Sequence, residues 1–324
     1  MSTDAFAPCV LHYPYQTPLH EEHGQIEREV QAWAERVGLA EGASLDRLAG
    51  INPGLLASWT FPYGPKHTVV VAGKVMAWMF VLDDEWLDNA ETGGSPARMA
   101  RLSVIYQRLL GCSAAWAPGS SPEGDRLLAA FASILSAIRE IATDLQTRRF
   151  CTEMTRAFFG ALLEACWAES GGSISAKEFS TSRLLSSGVL PMLSLIDTIG
   201  GFRIEENRLC HPDVLQLTTH ATAVVAWTND LFSFRVEEER SMYDVNLVWV
   251  LRTDNTEAAT AQAVEKAISI NNAEMDAYLR LEEAVAKNAG PELNSYLYGL
   301  RCWLHGNYQW SQVTSRYQTK GSQA

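Results

Sequence analysis

Apolar residues recur with helical spacing along most of the chain, and this pattern constrains the fold more than any other feature. In residues 25–37 (QIEREVQAWAERV), apolar side chains fall at i, i+4, i+7 and i+11, beginning at Ile26. Such spacing forms one apolar stripe on an α-helix. No segment alternates polar and β-branched residues between hairpin turns, so a β-sheet is not supported. We therefore predict an all-α protein.

Further segments carry the same pattern, with Gly, Pro and Ser clustered between them, as in ETGGSPA at 91–97. The additional predicted helices are 67–88, 97–110, 125–142, 144–168, 177–199, 212–239, 256–287 and 291–313. No internal repeat or Pro/Ser-rich linker divides the chain. We expect an N-terminal arm (1–24) that is rich in proline and aromatic residues, one helical domain (25–317) and a short tail (318–324).

Composition excludes several classes of function. The 324 residues include 26 Lys and Arg against 38 Asp and Glu, a formal charge of −12, which argues against nucleic acid or an anionic membrane as partner. No signal peptide is visible, and the most apolar stretch, 68–82, is too short to span a bilayer. The six cysteines are scattered, which is typical of reduced thiols. We expect a soluble, cytoplasmic protein.

An acidic cluster ends the apolar segment 66–82, where Asp83, Asp84 and Asp88 follow closely. Carboxylates at a helix C-terminus repel one another and the helix dipole, so arginine, lysine or a divalent metal must compensate. At about 100° per residue, Asp84 and Asp88 share a helix face, whereas Asp83 and Asp88 lie about 140° apart. We expect Asp83 to be the principal metal ligand, with Asp84 and Asp88 in supporting positions. A solvated acidic helix end is the alternative.

A second polar cluster interrupts the apolar helix predicted at 212–239. Asn229, Ser233 and Glu237 are spaced i, i+4, i+8, which places an amide, a hydroxyl and a carboxylate on one stripe about 80° wide. These hard oxygen ligands suit a single Mg²⁺ ion. Asn and Ser are poor formers of helix interiors, which weakens the alternative that they are chance surface residues.

Together these motifs resemble those of a known family, the class I terpene synthases. DDEWLD at 83–88 resembles the family's aspartate-rich motif, and NDLFSFRVE at 229–237 resembles its (N/D)Dxx(S/T)xxxE motif. The segment 306–317 (GNYQWSQVTSRY) is similar to the C-terminal segment of the bacterial members, which ends in Arg-Tyr. Arg183 precedes Asn229 by 46 residues, the position of the family's diphosphate-sensing arginine.

The resemblance extends over about residues 50–317. It implies a single-domain helical bundle around a central apolar pocket, and a Mg²⁺-dependent lyase of bacterial isoprenoid secondary metabolism. Such an enzyme ionises a linear prenyl diphosphate, cyclises the carbocation and releases diphosphate. Farnesyl diphosphate, which yields a sesquiterpene, is the expected substrate. Geranylgeranyl diphosphate, with a diterpene as product, is the alternative.

Individual roles follow from the same resemblance. Three Mg²⁺ ions are implied, two of them held by Asp83 and the third by Asn229, Ser233 and Glu237. Arg183, Arg316 and Tyr317 are expected to donate hydrogen bonds to the diphosphate, the arginines through their planar guanidinium groups.

The resemblance also assigns the residues that face the carbocation. Ser186 and Ser187 occupy the family's linker and effector positions at a helix break, where Gly188 is expected to supply the turn. Phe80 and Trp310 occupy pocket positions in which aromatic faces stabilise a carbocation without reacting with it. A plain role in core packing is the alternative for both aromatics.

Two departures from the family pattern leave questions open. The first motif has one residue more than the commoner DDxxD, which leaves the role of Asp88 open. Val236 stands where relatives often carry a cation, and Arg240 is the candidate replacement.

Other classes of protein fit the sequence less well. A chain-elongating prenyltransferase would carry a second aspartate-rich motif, and a proton-initiated cyclase would need a DxDD acid where Val81 stands. A non-catalytic helical scaffold or diphosphate-binding protein is the alternative from another class. The sequence leaves the product, its final quenching step and homodimer formation open.

Overall fold

A computed structural model of the chain describes residues 11–87, 95–110, 122–170, 174–239, 246–253 and 256–318. Within these ranges all regular structure is helical, which confirms the all-α prediction. The α-helices are α1 (His23–Arg36), α2 (Ala43–Ile51), α3 (Pro53–Thr60), α4 (Lys66–Leu82), α5 (Pro96–Leu110), α6 (Pro122–Ile141), α7 (Asp144–Ser170), α8 (Ala176–Ser186), α9 (Val189–Leu193), α10 (Ile196–Gly200), α11 (Glu206–Leu209), α12 (Pro212–Glu239), α13 (Leu247–Leu251), α14 (Glu257–Ala286) and α15 (Pro291–Val313).

Helix α4 is the central helix of the fold and packs against α1, α3 and α6. Most of its side chains are buried, because its sequence is apolar on nearly every face. Gly73 permits the close approach to α1, since a Cβ there would lie 2.6 Å from Val30 Cγ2. A π-helical turn (Asp83–Leu87) continues α4, and a 3₁₀ turn (Ser315–Tyr317) follows α15.

The structure corrects several predicted helix boundaries. The segment 177–199, predicted as one helix, is divided into α8, α9 and α10. Gly188 has φ of 70° at the first division, a left-handed conformation that an α-helix cannot continue through. The short helices α2 and α3 were not predicted. Asn52 lies between them with φ of 58°, and α3 begins with Pro53.

The described part of the N-terminal arm lies against the C-terminal helices. The Tyr13 ring stacks on Tyr308 with centroids 4.3 Å apart, and the Tyr15 hydroxyl donates to Glu282 Oε2 at 2.6 Å. The four cysteines in the described ranges are free thiols. Among the helices described, none is sufficiently long and apolar to cross a membrane.

Candidate active site

A cavity of about 260 Å³ lies between α4, α7, α8, α12 and the C-terminal 3₁₀ turn. Part of its wall is hydrocarbon, including Trp78, Phe158 and Ala161, and part is strongly polar. Ten of the residues singled out from the sequence line it: Phe80, Asp83, Arg183, Ser186, Ser187, Asn229, Ser233, Glu237, Arg316 and Tyr317. Residues from distant parts of the chain therefore meet at one apolar chamber with a charged portion.

The first acidic motif does not continue α4 as a regular helix. The turn Asp83–Leu87 is π-helical, and its i→i+5 hydrogen bonding changes the angle between successive side chains. The 140° separation expected between Asp83 and Asp88 assumed a regular α-helix, so that argument does not apply to this turn. Asp88 itself lies outside the described residues.

Arginines from distant elements neutralise this acidic turn. Arg316 forms ion pairs with both Asp83 and Asp84, the latter through Nη1 to Oδ1 at 2.8 Å. Arg47 Nη1 lies 3.8 Å from Asp84 Oδ2. Desolvation by the surrounding protein raises the pKa of Asp83 even though its side chain is 37% exposed, and the nearby Arg316 opposes that shift. The positive charge that the acidic cluster requires is therefore present as side chains, and Asp84 is held by cations as expected.

Helix α12 brings three predicted residues into one hydrogen-bond chain. Arg183 Nη2 donates to Asn229 Oδ1 at 2.8 Å, and Asn229 Nδ2 donates to the Tyr317 hydroxyl at 2.6 Å. Burial raises the pKa of Tyr317 to about 12, so its hydroxyl stays neutral. Because that oxygen accepts from Asn229, its own proton remains available to an anionic ligand.

The remaining oxygens of the second motif converge on Asn246. Its Nδ2 donates to Glu237 Oε2 at 2.7 Å and lies 3.4 Å from Ser233 Oγ. The two oxygens are therefore close enough to share one small partner. Asn246 was not predicted as a site residue. Its position before the apolar run 247–251 is an N-cap signal, and its Oδ1 does accept from Val248 N.

This oxygen set fits a divalent metal. Asn229, Ser233 and Glu237 offer an amide, a hydroxyl and a carboxylate, which are the hard ligands that Mg²⁺ prefers. Burial, together with Asp230, raises the pKa of Glu237 to about 7, so a cation is needed to hold it ionised at neutral pH. In the described ranges no three His, Cys, Asp or Glu side chains cluster as a metal site, so the amide and hydroxyl are needed.

Asp230 anchors Arg183 and was not predicted. Its buried Oδ1 accepts from Arg183 Nε at 2.9 Å and from Nη2 at 2.8 Å, while Oδ2 accepts from Leu247 N. Its place as the second residue of NDLFSFRVE was the available signal. The pair holds the guanidinium at the cavity wall, next to Asn229.

The break after α8 also lies on the cavity wall. The Ser186 hydroxyl donates to Glu164 Oε1, and Ser187 Oγ accepts from Val189 N at 3.4 Å. Gly188 makes the turn between the two helices. Glu164, on α7, was not predicted. The available signal was its place as the one charged residue of the run 157–168 (AFFGALLEACWA).

The two predicted aromatics occupy different layers. Phe80 lines the cavity, whereas Trp310 stacks on it with centroids 5.5 Å apart and is 1% exposed. Trp310 Nε1 donates to Ile51 O at 2.9 Å, which orients the indole. Val236 lines the cavity, and Arg240, the candidate to replace a cation there, lies outside the described residues.

Comparisons with known proteins agree with this geometry. Residues 74–277 match the model of terpene synthase family 2, C-terminal metal binding. The chain is 26% identical over 320 residues to (+)-(1(10)E,4E,6S,7R)-germacradien-6-ol synthase of Streptomyces pratensis, covering 98% of this chain and 88% of that protein. It is 30% identical over 244 residues to spiroviolene synthase of Streptomyces violens, covering 75% and 66% respectively.

A solved structure shows the same fold. The crystal structure of 2-methylisoborneol synthase from Streptomyces coelicolor A3(2), in complex with Mg²⁺ and 2-fluoroneryl diphosphate, superposes with a TM-score of 0.85 at 22% identity. The match covers 96% of this chain and 98% of that one.

The family match and the relatives, which agree with the helical fold and the oxygen-rich cavity, identify a metal-dependent lyase that acts on a prenyl diphosphate. More specifically, the chain belongs to the bacterial class I terpene synthase family and is a terpene cyclase.

Proposed function

We propose that the protein binds farnesyl diphosphate with three Mg²⁺ ions and cyclises the resulting cation to a sesquiterpene. The observation that carries the proposal is a single cavity that joins a hydrocarbon wall to Asp83, Arg183, Asn229 and Arg316. The choice of substrate is supported by the (+)-T-muurolol synthase ((2E,6E)-farnesyl diphosphate cyclizing) of Roseiflexus castenholzii. That relative is 23% identical over 312 residues, which cover 95% of this chain and 93% of that one.

The oxygens of the two motifs are the proposed metal ligands. Asp83 would hold two ions, and Asn229, Ser233 and Glu237 the third. Bound Mg²⁺ supplies positive charge that stabilises the departing diphosphate as the C–O bond breaks. Asp84, held by Arg316 and Arg47, supports the turn that presents Asp83. A role for Asp88 as a further ligand stays a prediction.

The arginines are the proposed diphosphate donors. Arg316 pairs with Asp83 in the structure. Once Asp83 holds a cation, that guanidinium becomes available to diphosphate oxygens. Arg183 stays anchored by Asp230 and projects its remaining N–H groups beside Asn229 and Tyr317. The donors then face the leaving group as its negative charge develops, which lowers the barrier to ionisation.

The apolar wall is proposed to shape and protect the cation. Phe80, backed by Trp310, presents an aromatic face that stabilises positive charge without reacting with it. The hydrocarbon side chains exclude water, which would otherwise quench the cation early. Ser186 and Ser187 lie where α8 ends, and the backbone of this break is proposed to face the cation.

Geranylgeranyl diphosphate is the second candidate substrate. Met79 lines the cavity, and a flexible thioether there adapts to a longer chain more readily than a rigid ring would.

The test is incubation of the purified protein with C10, C15 and C20 prenyl diphosphates, separately and with either Mg²⁺ or EDTA. The organic extract is analysed by gas chromatography and mass spectrometry. We expect a Mg²⁺-dependent cyclic C15 product that Asp83→Ala and Asn229→Ala variants do not form. A cyclic C20 product would select the second candidate. Folded protein that forms no product from any substrate would contradict the proposal and favour a scaffold or diphosphate-binding role.

A further inference from the structure

Glu164 is an ionisable group on the cavity wall that the proposed roles leave unused. The other acids lining the cavity, Asp83 and Glu237, are proposed metal ligands, and its arginines are proposed diphosphate donors. Glu164 belongs to α7, which contributes neither a metal motif nor a diphosphate donor. A carboxyl group in a cavity proposed to hold a hydrocarbon cation requires a chemical explanation, because removing it from water costs free energy that an exposed glutamate does not.

Helical spacing places Glu164 in line with the small residues of α7 that line the cavity, next to the break after α8. Ala157, Ala161, Glu164 and Ala165 are spaced i, i+4, i+7, i+8 on α7, and all four line the cavity. The three alanines leave space in front of the helix, so the carboxyl group projects beside an open volume. It therefore lies between the alanine-lined part of the cavity and the polar groups Arg183 and Ser186.

The hydrogen bonding of Glu164 leaves part of the carboxyl group available. Oε1 accepts the Ser186 hydroxyl proton. No other hydrogen bond reaches this carboxyl group from the part of the chain that the structure describes. Ser186 thus orients the group through one oxygen, while Oε2 keeps its lone pairs for a proton.

The surroundings make this carboxyl group an effective proton acceptor near neutral pH. Burial raises its pKa to about 7, while Arg183 and the Ser186 hydroxyl oppose the shift and Asp83 and Asp230 add to it. A base works best when its pKa lies near the working pH. The same arginine and hydroxyl reduce the tendency of the carboxylate to attack the cation directly.

We propose that Glu164 is the base that ends the cyclisation by removing a proton from the carbon next to the cationic centre. The C–H bond breaks, its electron pair becomes the new C=C bond, and the proton passes to Glu164, which changes from carboxylate to carboxylic acid. The proton leaves to solvent when the product is released, which regenerates the base. This inference rests on the proposed function.

The experiment compares Glu164→Gln with the wild type, because glutamine keeps the size and can still accept the Ser186 hydroxyl but is a far weaker base. Glu164→Asp retains a carboxyl group. Glu169→Gln makes the same change at an exposed position of α7 and is the matched control. Each is assayed for Mg²⁺-dependent diphosphate release from the accepted substrate and for product distribution by mass spectrometry.

We expect Glu164→Gln to release diphosphate within about threefold of the wild-type rate while the share of the main alkene falls by at least ~10-fold, which is below the ~10²–10⁴-fold that a general base typically contributes because other proton acceptors can substitute in part. Alcohols or alkenes formed by other proton acceptors should replace it. Glu164→Asp should restore part of the wild-type distribution, and Glu169→Gln should match the wild type. If Glu164→Gln does not fold, Glu164→Met, an apolar side chain of similar length, should show the same shift.

An unchanged product distribution in folded Glu164→Gln or Glu164→Met would overturn the proposal. So would a wild-type product formed only by addition of water. A purely positioning role predicts that glutamine substitutes fully for glutamate. Failure of the proposed function itself is distinguishable, because the wild type would then release no diphosphate.

Discussion

The two metal motifs line the same cavity but are held in different ways. The acidic turn Asp83–Leu87 departs from helical geometry and is neutralised by arginines from other elements, including Arg47 and Arg316. The motif on α12 lies on a regular helix, and its oxygens are held by Asn246 and Arg183.

The two motifs also differ in how far their charged side chains are exposed to solvent. The Asp83 side chain is 37% exposed, whereas Asp230 in the second motif is 0% exposed. Ion pairs near solvent are weakened by screening and contribute little stability. Buried, hydrogen-bonded charges are costly to disturb, because removing one partner leaves the other desolvated. The α12 motif therefore combines a structural role with its proposed chemical one, while Asp83 is freer to change partners.

The largest expected effect is a loss of catalytic rate, and substitutions in either motif should cause it. Asn229→Ala removes a proposed metal ligand and the link between Arg183 and Tyr317, so diphosphate release should fall by about 10³-fold or more. Asp83→Ala should cause a loss of similar size. The measurement is steady-state diphosphate release, with circular dichroism to verify folding. The control is Asn207→Ala, a change at an exposed position of α11, and an Asn229→Ala rate within tenfold of wild type would contradict the prediction.

The free energy of unfolding should respond differently to substitutions in the two motifs. Asp230→Asn leaves Arg183 without its buried negative charge and should lower the free energy of unfolding by about 3 kcal/mol. Asp84→Asn should cost less, about 1 kcal/mol, because Arg316 keeps its pair with Asp83 and the pair with Arg47 is half-exposed. Urea unfolding of the metal-free proteins measures both. Equal losses would show that the acidic turn is as tightly built as α12.

The pH dependence of stability should isolate the buried acids. Burial raises the pKa of Glu237 and of Glu164 from 4.5 to about 7. Between these pH values the folded protein binds more protons than the unfolded chain, so stability should fall as pH rises and level off above about pH 7. Each acid should account for up to about 3 kcal/mol.

Substitutions and added Mg²⁺ should distinguish the contributions of Glu237 and Glu164 to this pH dependence. Glu237→Gln and Glu164→Gln should each flatten the curve from urea unfolding at several pH values. Asp230 and Arg183 face Glu237, and bound Mg²⁺ favours its ionised form, so adding Mg²⁺ should remove only the contribution of Glu237. A wild-type curve that is flat from about pH 5 to 8 would refute the assigned shifts.

The smallest expected effect on stability is that of Arg47, which pairs with the acidic turn from the protein surface. Arg47 is 56% exposed and its guanidinium lies 3.8 Å from Asp84. Arg47→Ala should change the free energy of unfolding by less than about 0.5 kcal/mol, and the change should vanish at high salt. Arg316→Ala serves as the contrast, since its guanidinium bonds two carboxylates and is proposed to bind diphosphate. A large effect of Arg47→Ala on turnover would make this residue part of the diphosphate site.

Regular helical geometry is what made much of the site predictable. The spacing of Asn229, Ser233 and Glu237 predicts one shared face, and α12 does direct all three to the cavity. The same reasoning does not apply from Asp83 onward, because a π-helical turn replaces the regular helix there. Asn246 was missed because its role depends on where the chain returns after α12, which local pattern does not encode.

The sequence by itself determined the all-α fold and the two polar interruptions of apolar helices, because periodicity and residue chemistry are local properties. Only the tertiary structure decided which charges meet. Arg316 reaches Asp84 across 232 residues of chain, and Glu164 becomes a buried base only where α7 packs beside α8. Coulomb energy and desolvation depend on distance in space and on the surroundings of each group, and both are set when the helices pack.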